Sequence, residues 1–274
     1  MQKNESGINI KLPYRPPYAW NHLRDFFLKR EVQGSEKISE SSIAKALEID
    51  GVALSFVAQH VPHSNRFDVT FSDSVSPVLI KAINAVKKIL DIDSVPDAIS
   101  LALVDAGLKT DEIIQGMRIP GLTSRFEAGC RAILGQQVTV TSAVKQVNLL
   151  QHELRGEPSE QLRPFVTPEQ VASADLSFLR MPQARKQSLK DFARHYLEFP
   201  DSMPNTWLAI KGIGPWTVNY VNMRTQAVPD IFLDSDLIIR QQIKKLSEQG
   251  RSLVHENAAP WRTYLTMQLW EMSA

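Results

Sequence analysis

Cysteine is almost absent from this sequence, and no apolar stretch is long enough to cross a membrane as a helix. The single cysteine, Cys130, cannot form an internal disulfide, a CxxC zinc site or a four-cysteine iron–sulfur cluster. No apolar run approaches the roughly 20 residues that a membrane-spanning helix needs. Residues 1–7 are polar and lack the apolar core of a signal peptide. We therefore expect a cytoplasmic protein with no membrane partner and no cysteine-bound metal.

Net charge is also small, which leaves the class of partner open. The chain of 274 residues has 31 Lys and Arg against 30 Asp and Glu, a formal charge of +1. A nucleic-acid binder of this composition would have to gather its positive charge on one face. The six histidines show no metal-ligand spacing. A hydrophobic fraction of 43% is ordinary for a globular protein, and the length predicts about two domains.

Residues 1–98 are predicted to form a mixed α/β domain. Apolar and polar residues alternate, as in half-buried strands, over 8–12, 47–56 and 67–71. Asp50-Gly51 interrupts the second of these segments, and Asp-Gly between alternating runs is a strong hairpin signal. Apolar residues at helical spacing predict two helices, from Trp20 to about Arg30 and from Leu79 to Leu90. The prediction is a small antiparallel sheet covered by two helices.

Residues 99–274 are predicted to be all helical, so the fold class is α+β. Strand signals disappear after this point, and Gly and Pro fall between the periodic segments. Ser124 and Glu127 have the spacing of a capping box, and the helix that they begin should end at Gly135. The remaining helices are predicted near 138–152, 168–174, 183–197, 215–224, 236–247 and 257–270.

A glycine-rich turn stands between two predicted helices in the segment 208–220, LAIKGIGPWTVNY. Gly212 and Gly214 allow a tight turn and a close approach of the backbone to a ligand. Pro215 suits the first position of the next helix, whose free N–H groups and dipole favour an anion. This is the helix–hairpin–helix pattern, which holds a DNA phosphate without reading base sequence. A corner between two helices with no ligand is the alternative.

Four segments together resemble the 3-methyladenine DNA glycosylase II family of the helix–hairpin–helix glycosylase superfamily. They are YRPPYAW at 14–20, RIPGLTSRFEAGCRAILGQQV at 118–138, the hairpin, and WRTYLTMQLW at 261–270. The resemblance covers almost the whole chain, including the α/β part. It implies a glycosylase region of two helical subdomains, with the helix–hairpin–helix at about 204–224 and a catalytic aspartate loop at 225–240.

Within that loop the resemblance places the catalytic carboxylate at Asp236. Cleavage of an N-glycosidic bond builds positive charge on the sugar, and a nearby carboxylate stabilises it. Asp230 and Asp234 are the other candidates, and Asp234 is the better one for a purely structural role. The alternative for Asp236 is a plain helix N-cap, since Asp commonly occupies that position.

The resemblance also assigns the base pocket and the reaction subtype. Relatives that cut the strand have a lysine, which forms a Schiff base, where this chain has Trp216. A monofunctional enzyme that uses water is therefore implied. Trp216, Tyr220, Trp270 and Phe26 would line the pocket, and their rings attract cationic alkylated purines by about 0.5–2 kcal/mol. Ordinary core packing is the alternative for each ring, above all for Phe26.

The DNA contacts follow from the same resemblance. Gln137 stands where the family has its wedge, the residue that fills the gap left by a flipped base; a helix-start residue in solvent is the alternative. A phosphate would be held by backbone N–H groups near Gly212, Gly214 and Thr217, with Lys211 as a further contact. By family pattern, a monovalent cation could be held by the carbonyls of three residues: Leu208, Ile210 and Ile213.

Taken together, these features predict a monofunctional DNA glycosylase that excises cationic purines such as 3-methyladenine and 7-methylguanine from duplex DNA. It would leave an abasic site, need no cofactor beyond the hairpin cation, and act as a monomer in the bacterial cytoplasm, on the nucleoid. Two alternatives stay open: a non-catalytic DNA-binding protein, and a glycosylase for other damaged bases. A cluster of basic residues could face DNA or solvent: Arg180, Arg185, Lys186, Lys190 and Arg194.

Overall fold

The computed structural model describes residues 7–225 and 228–273. Its first part is a five-stranded antiparallel sheet in the order β1-β5-β4-β3-β2. The strands are β1 (Ile8–Pro13), β2 (Glu36–Ile38), β3 (Ser42–Ile49), β4 (Val52–Val61) and β5 (Arg66–Phe71). The predicted sheet is confirmed, although β2 was not anticipated because three residues are too few for a visible alternation.

The hairpin between β3 and β4 is formed where the sequence predicts it. Leu47 faces Leu54 across the two strands, and Asp50 and Gly51 have φ values of 52° and 75°. Positive φ at both central residues is typical of the tight turn that suits the strand twist. Two helices cover the sheet, α1 (Trp20–Leu28) and α2 (Leu79–Leu90), and both were predicted.

The remaining helices form two groups with separate cores. The helices are α3 (Pro96–Asp105), α4 (Arg125–Leu134), α5 (Val140–Arg155), α6 (Pro168–Ser173), α7 (Gln183–Glu198), α8 (Pro215–Arg224), α9 (Leu237–Glu248) and α10 (Arg262–Glu271). One core is built from α4 to α8, and the other from α3, α9 and α10, with Met223 of α8 reaching into it. Helix α8 therefore lies between the groups, so its exposed face borders both of them.

Several predicted boundaries shift for local reasons. Helix α5 begins at Val140 because the side chain of Thr139 caps it, which leaves Val138 in the preceding turn. Helix α10 begins at Arg262, after a short 3-10 turn and Pro260. Helix α3 begins at Pro96 and packs with the second helical group, so that group includes residues before 99. Within 7–225 and 228–273, no helix is long and apolar enough to cross a membrane.

A buried cluster of charges joins the sheet to helix α4, and the sequence analysis did not anticipate it. The Lys45 ammonium lies 2.7 Å from Glu36 and 2.9 Å from Glu127, and Arg131 lies 2.7 Å from Glu36. Burial alone would raise the pKa of Glu127, but Lys45 and Arg131 outweigh it and lower that pKa to about 2. The four charges balance, as buried charges must if they are to be tolerated.

Candidate active site

Asp236 lies at the N-terminus of helix α9, where its side chain is half-buried. Its Oδ1 accepts hydrogen bonds from the backbone N–H groups of Ile238 at 2.9 Å and Ile239 at 3.2 Å. These are the bonds of an ordinary N-cap, and the helix dipole favours a negative charge there. Asp236 therefore caps helix α9, the role that the sequence analysis gave as the alternative to catalysis.

Two indole rings also donate to the same carboxylate. Trp216 Nε1 lies 2.9 Å from Oδ2, and Trp270 Nε1 lies 3.3 Å from Oδ1 of Asp236. An ionised carboxylate is purely an acceptor, and here four N–H donors from α8, α9 and α10 converge on it. A cap needs only the backbone bonds. The additional donors hold the carboxylate between the two helical groups, beside the aromatic faces of α8 and α10.

The four aromatic residues assigned to the pocket lie together. The Trp216 and Tyr220 rings stack with centroids 5.2 Å apart and planes 17° from parallel. Trp270 packs against the cluster that contains Phe26, together with Met267 of α10. Only 6% of Phe26 is exposed, so its place is largely in this core, whereas Trp216, Tyr220 and Trp270 are half-buried.

The loop before Asp236 is fixed to helix α10 by a different aspartate. Both carboxylate oxygens of Asp230 accept from Arg262, each at 2.7 Å, an arrangement with two parallel bonds. The side chain of Asp234 is exposed, and its backbone carbonyl accepts from Arg240 at 3.0 Å. The structure thus gives the anchoring ion pair to Asp230, where the sequence analysis had favoured Asp234 for a structural role.

The glycine-rich turn has its two glycines in different surroundings. Gly212 has φ +90°, and a Cβ there would collide with the Ser188 hydroxyl, which itself donates to the Lys211 carbonyl at 2.7 Å. Gly214 caps α8 with an unstrained φ of −108°, and a Cβ there would meet nothing within 4 Å. The sequence analysis had treated the two glycines alike. The structure shows positive φ at Gly212 alone.

Several backbone N–H groups of the turn have no acceptor in the described part of the chain. Ile213 donates to Ile210 at 3.0 Å, and Val218 donates to Gly214 at 3.2 Å, but the amides of Gly214 and Thr217 are unused. The Thr217 side chain is buried, and its hydroxyl accepts from Gln136 at 3.2 Å. Free amides at the start of a helix form an anion-binding surface.

Residues 9–124 match the family model described as the AlkA N-terminal domain. Over 94% of its length the chain is 30% identical to DNA-3-methyladenine glycosylase 2 of Escherichia coli strain K12, and it covers 95% of that protein. The chain belongs to the DNA-3-methyladenine glycosylase 2 family. The family resemblance and the glycosylase activity expected from the sequence are thereby confirmed.

Relatives and solved structures agree with this membership. The chain is 28% identical to a Mycobacterium tuberculosis protein described as a probable bifunctional transcriptional activator/DNA repair enzyme AlkA, over 96% of this chain and 56% of that protein. A 3-methyladenine DNA glycosylase from Archaeoglobus fulgidus superposes with a TM-score of 0.77 at 16% identity, covering 96% of this chain and 98% of that one. The likeness of that structure shows the shared fold.

The turn between α4 and α5 of the glycosylase lies against the hairpin. The Gln136 amide donates to the Gly212 carbonyl at 2.8 Å. Gln137, the next residue, is exposed and has φ +56°. That left-handed conformation is uncommon for a residue with a side chain and typically costs about 1–3 kcal/mol. The structure thus places the residue assigned as wedge in a turn, outside helix α5, on the same side of the molecule as the hairpin.

The basic cluster is divided among different surroundings. Lys186 donates to the Ser177 carbonyl at 3.1 Å, and Arg194 pairs with Asp191 at 3.2 Å. Arg180 and Arg185 instead line a groove of about 220 Å³ together with Val138, the residue that follows Gln137. A larger groove of about 560 Å³ lies between α5 and the segment after α1, and it contains none of the assigned site residues.

Two arginines beside the aromatic residues were missed by the sequence analysis. The Arg30 guanidinium lies 3.8 Å from the centroid of the Phe26 ring, and that of Arg224 lies 4.8 Å from it. Arg224 Nη1 also donates to the Tyr220 hydroxyl at 2.6 Å. Helical spacing could have indicated Arg224, since it follows Tyr220 by four residues and Trp216 by eight. Nothing local indicates Arg30, which reaches the cluster from the turn that follows α1.

Nearby arginines lower the pKa of the Tyr220 phenol. Burial would raise the pKa of Tyr220, but the positive charges of Arg224, Arg30 and Arg131 outweigh it, so that pKa lies below its usual value. Burial also lowers the pKa of Arg30 to about 10. The candidate site is therefore lined by aromatic rings, and the guanidinium groups of Arg30 and Arg224 lie against those rings.

Proposed function

We propose that this DNA glycosylase excises alkylated purines such as 3-methyladenine and 7-methylguanine from duplex DNA by hydrolysis, with Asp236 as the catalytic carboxylate. The observation that carries the proposal is the convergence of four N–H donors on Asp236 next to the Trp216 and Tyr220 stack. This arrangement fixes a negative charge beside aromatic rings, which is what a cationic base attached to a sugar would require.

In the proposed reaction the bond between the base and C1′ of the sugar breaks, and its electron pair leaves with the base. A purine that carries a positive charge then departs as a neutral molecule, so no acid is needed to protonate it. Asp236 stabilises the positive charge that develops on the sugar, and the oxygen of a water molecule bonds to C1′. The water releases its proton to solvent, and the product is an abasic site.

Trp216 supports the monofunctional subtype. Its indole nitrogen is not a nucleophile, and it is already engaged with Asp236. A lysine at the same position could form a Schiff base with the sugar and go on to cut the strand. With water as the nucleophile, the strand stays intact.

Duplex DNA is the proposed partner, and the target base must leave the stack to reach Asp236. Gln137 is exposed in a turn that touches the hairpin, which suits a side chain that enters the duplex and fills the gap. The free amides of Gly214 and Thr217, with the exposed Lys211, are suited to one phosphate of the damaged strand.

A monovalent cation at the hairpin is part of the proposal. The carbonyls of Leu208 and Ile213 accept no hydrogen bond from the residues that the structure describes, whereas that of Ile210 accepts from Ile213. Two unused carbonyls and one partly used carbonyl fit a weakly held cation with oxygen ligands. Such an ion would bring positive charge to the phosphate side of the turn.

The test is incubation of the protein with duplex DNA that has been methylated chemically, followed by chromatographic identification of the released bases. We expect 3-methyladenine and 7-methylguanine in the supernatant, with the strand intact until it is treated with alkali. Binding of this DNA without release of any base would favour the non-catalytic alternative. Release of oxidised bases alone, from a parallel oxidised duplex, would favour a glycosylase for other damage.

A further inference from the structure

The groove of about 220 Å³ that Arg180 and Arg185 line has a third cationic side chain in its wall, that of Lys145. Lys145 belongs to α5, Arg185 to the first turn of α7, and Arg180 to the segment between α6 and α7. Among the described residues that line this groove there is no acidic one. We call the site formed by these three side chains the basic groove. Its positive charges come from separate elements and meet at one surface.

None of the three charges is balanced within the described part of the protein. Across residues 7–225 and 228–273, Lys145, Arg180 and Arg185 form no ion pair with an acidic side chain. By contrast, Arg194 on the same helix as Arg185 lies 3.2 Å from Asp191. A cleft lined by charge of one sign concentrates its electric potential and attracts ions of the opposite sign. The basic groove is therefore suited to a ligand with several negative charges.

Local structure adds to the positive potential at the basic groove. The N-cap of α7 is Pro182, which has no side-chain oxygen to accept from the first-turn amides, and that turn contains no acidic residue. The N-terminus of a helix carries a partial positive charge, so a cation such as Arg185 is electrostatically unfavourable there, and an anion in the groove would interact favourably with both. The segment that carries Arg180 is held in place, because the Arg180 backbone N–H donates to the Gln146 side chain of α5 at 2.8 Å.

The basic groove also has a defined place relative to Gln137. The preceding residue, Gln136, donates from its side chain to the Gly212 carbonyl at 2.8 Å and to the Thr217 hydroxyl at 3.2 Å. The following residue, Val138, lines the basic groove. Gln137 therefore stands in the chain between a residue that contacts the hairpin and a residue that lines the groove. A side chain that fills the gap left by a flipped base has the damaged strand on one side and the complementary strand on the other.

We propose that the basic groove binds phosphates of the complementary strand, the strand that loses no base, while the hairpin holds the damaged strand. This inference rests on the proposed function, because the hairpin and Gln137 set the position of the duplex. Lys145, Arg180 and Arg185 neutralise phosphate charge and read no base sequence. With a strand held on each side of Gln137, the gap stays open while the target base is out of the stack. The groove thus makes binding depend on the second strand.

The experiment measures how binding depends on salt, with duplexes that contain a tetrahydrofuran analogue of the abasic site. Methylphosphonates, which carry no charge, replace a short run of phosphates beside the analogue in the damaged strand or opposite it in the complementary strand. On the unmodified duplex, Arg185→Ala should make the slope of log affinity against log salt shallower by about one. With methylphosphonates in the complementary strand, this difference between wild type and variant should disappear. With methylphosphonates in the damaged strand, the difference should stay at about one.

Two further variants make the comparison decisive. Arg194→Ala is the matched control, since it removes an arginine of the same helix that Asp191 already neutralises, and it should keep the wild-type slope. Lys145 is exposed, and Lys145→Gln should give the same pattern as Arg185→Ala, so the test stands even if the latter fails to fold.

A wild-type slope for both groove variants would overturn the inference, and so would a difference that disappears with methylphosphonates in the damaged strand instead. The proposed function is tested separately by base release, which this binding experiment does not need. The expected slopes without release of alkylated purines would refute the proposed function alone. Release of those bases with wild-type slopes in both variants would overturn this inference alone, and absence of any binding to the duplex would overturn both.

Discussion

Replacement of Asp236 by asparagine separates the two roles that this side chain combines. The amide oxygen of Asn can still accept from the Ile238 and Ile239 amides, and Asn ranks with Asp as an N-cap. The fold should therefore hold, with a change in the free energy of unfolding below about 1 kcal/mol. In the variant an NH2 group replaces Oδ2, so the Trp216 N–H loses the acceptor that it has in the wild-type protein.

The catalytic loss can be estimated from the charge alone. A full negative charge about 4 Å from a positive sugar contributes about 4 kcal/mol at an effective dielectric constant of about 20. Each 1.36 kcal/mol corresponds to about a tenfold change in rate. Asp236→Asn should thus slow base release by about a thousandfold, while binding to an undamaged duplex stays within about twofold of wild type.

The assay is single-turnover release of 7-methylguanine with enzyme in excess, combined with thermal unfolding of each variant. Asp234→Asn is the matched control, since that exposed side chain lies two residues away in the same loop. Asp236→Ala removes the cap as well, and it should lose a further 0.5–2 kcal/mol or so of stability. Release by Asp236→Asn within tenfold of wild type would refute the catalytic assignment and leave Asp236 as a cap.

Three further predictions concern the hairpin, the subtype and acid stability. Gly214→Ala should weaken binding to damaged and undamaged duplexes by a similar factor, because its methyl group would occupy space that is open in the protein and that the proposed phosphate would need. Lys211→Ala should instead lower the slope of log affinity against log salt by about one, and competition binding at two salt concentrations measures both effects. With Trp216 in place, borohydride should trap no covalent complex with DNA, and an adduct on a denaturing gel would contradict the monofunctional subtype. Lys45 and Arg131 lower the pKa of Glu127 to about 2 despite its burial, so the ionised carboxylate stabilises the fold at neutral pH, and this contribution is lost as pH falls from about 4.5 through about 2. In thermal melts, Glu127→Gln should therefore unfold at a lower temperature than wild type at pH 7, and this difference should disappear near pH 2.

The parts of the fold that follow local rules were accessible from the sequence. Asp50-Gly51 permits φ values above zero at both positions, so the β3–β4 hairpin could be placed to the residue. Helix α4 is capped by Ser124 and ends before Gly135, as predicted, although the Glu127 carboxylate pairs with Lys45 and does not complete the expected capping box. In each case, the residues that decide the structure are within a few positions of the element that they define.

The charge cluster at the sheet could not be predicted, because it depends on distant pairs. Lys45 and Glu127 are 82 residues apart, and both look like solvent-exposed residues when read along the chain. Only the packing of α4 on the sheet brings them together and removes them from water. A charged residue shows no sequence pattern that separates a buried partner from a solvated one.

For the candidate site, the aromatic residues and Asp236 were indicated by family resemblance, and the structure adds how they contact each other. The indole donors of Trp216 and Trp270 could not be foreseen, since they require the ends of three helices to meet. Arg30 comes from the turn after helix α1 of the sheet domain, almost two hundred residues before Arg224. Arg30 lies outside the four segments that carry the family resemblance.

The ion pairs between the sheet and α4 also have a mechanical consequence. Helix α4 leads directly into the turn that presents Gln137, and Glu127 and Arg131 of that helix are held by Lys45 and Glu36 of the sheet. A side chain pressed into a stacked duplex experiences an equal force in return. With Gln137 in its proposed role as the wedge, that force would pass along α4 and through these ion pairs into the five-stranded sheet, so the sheet domain would support the opening of the duplex.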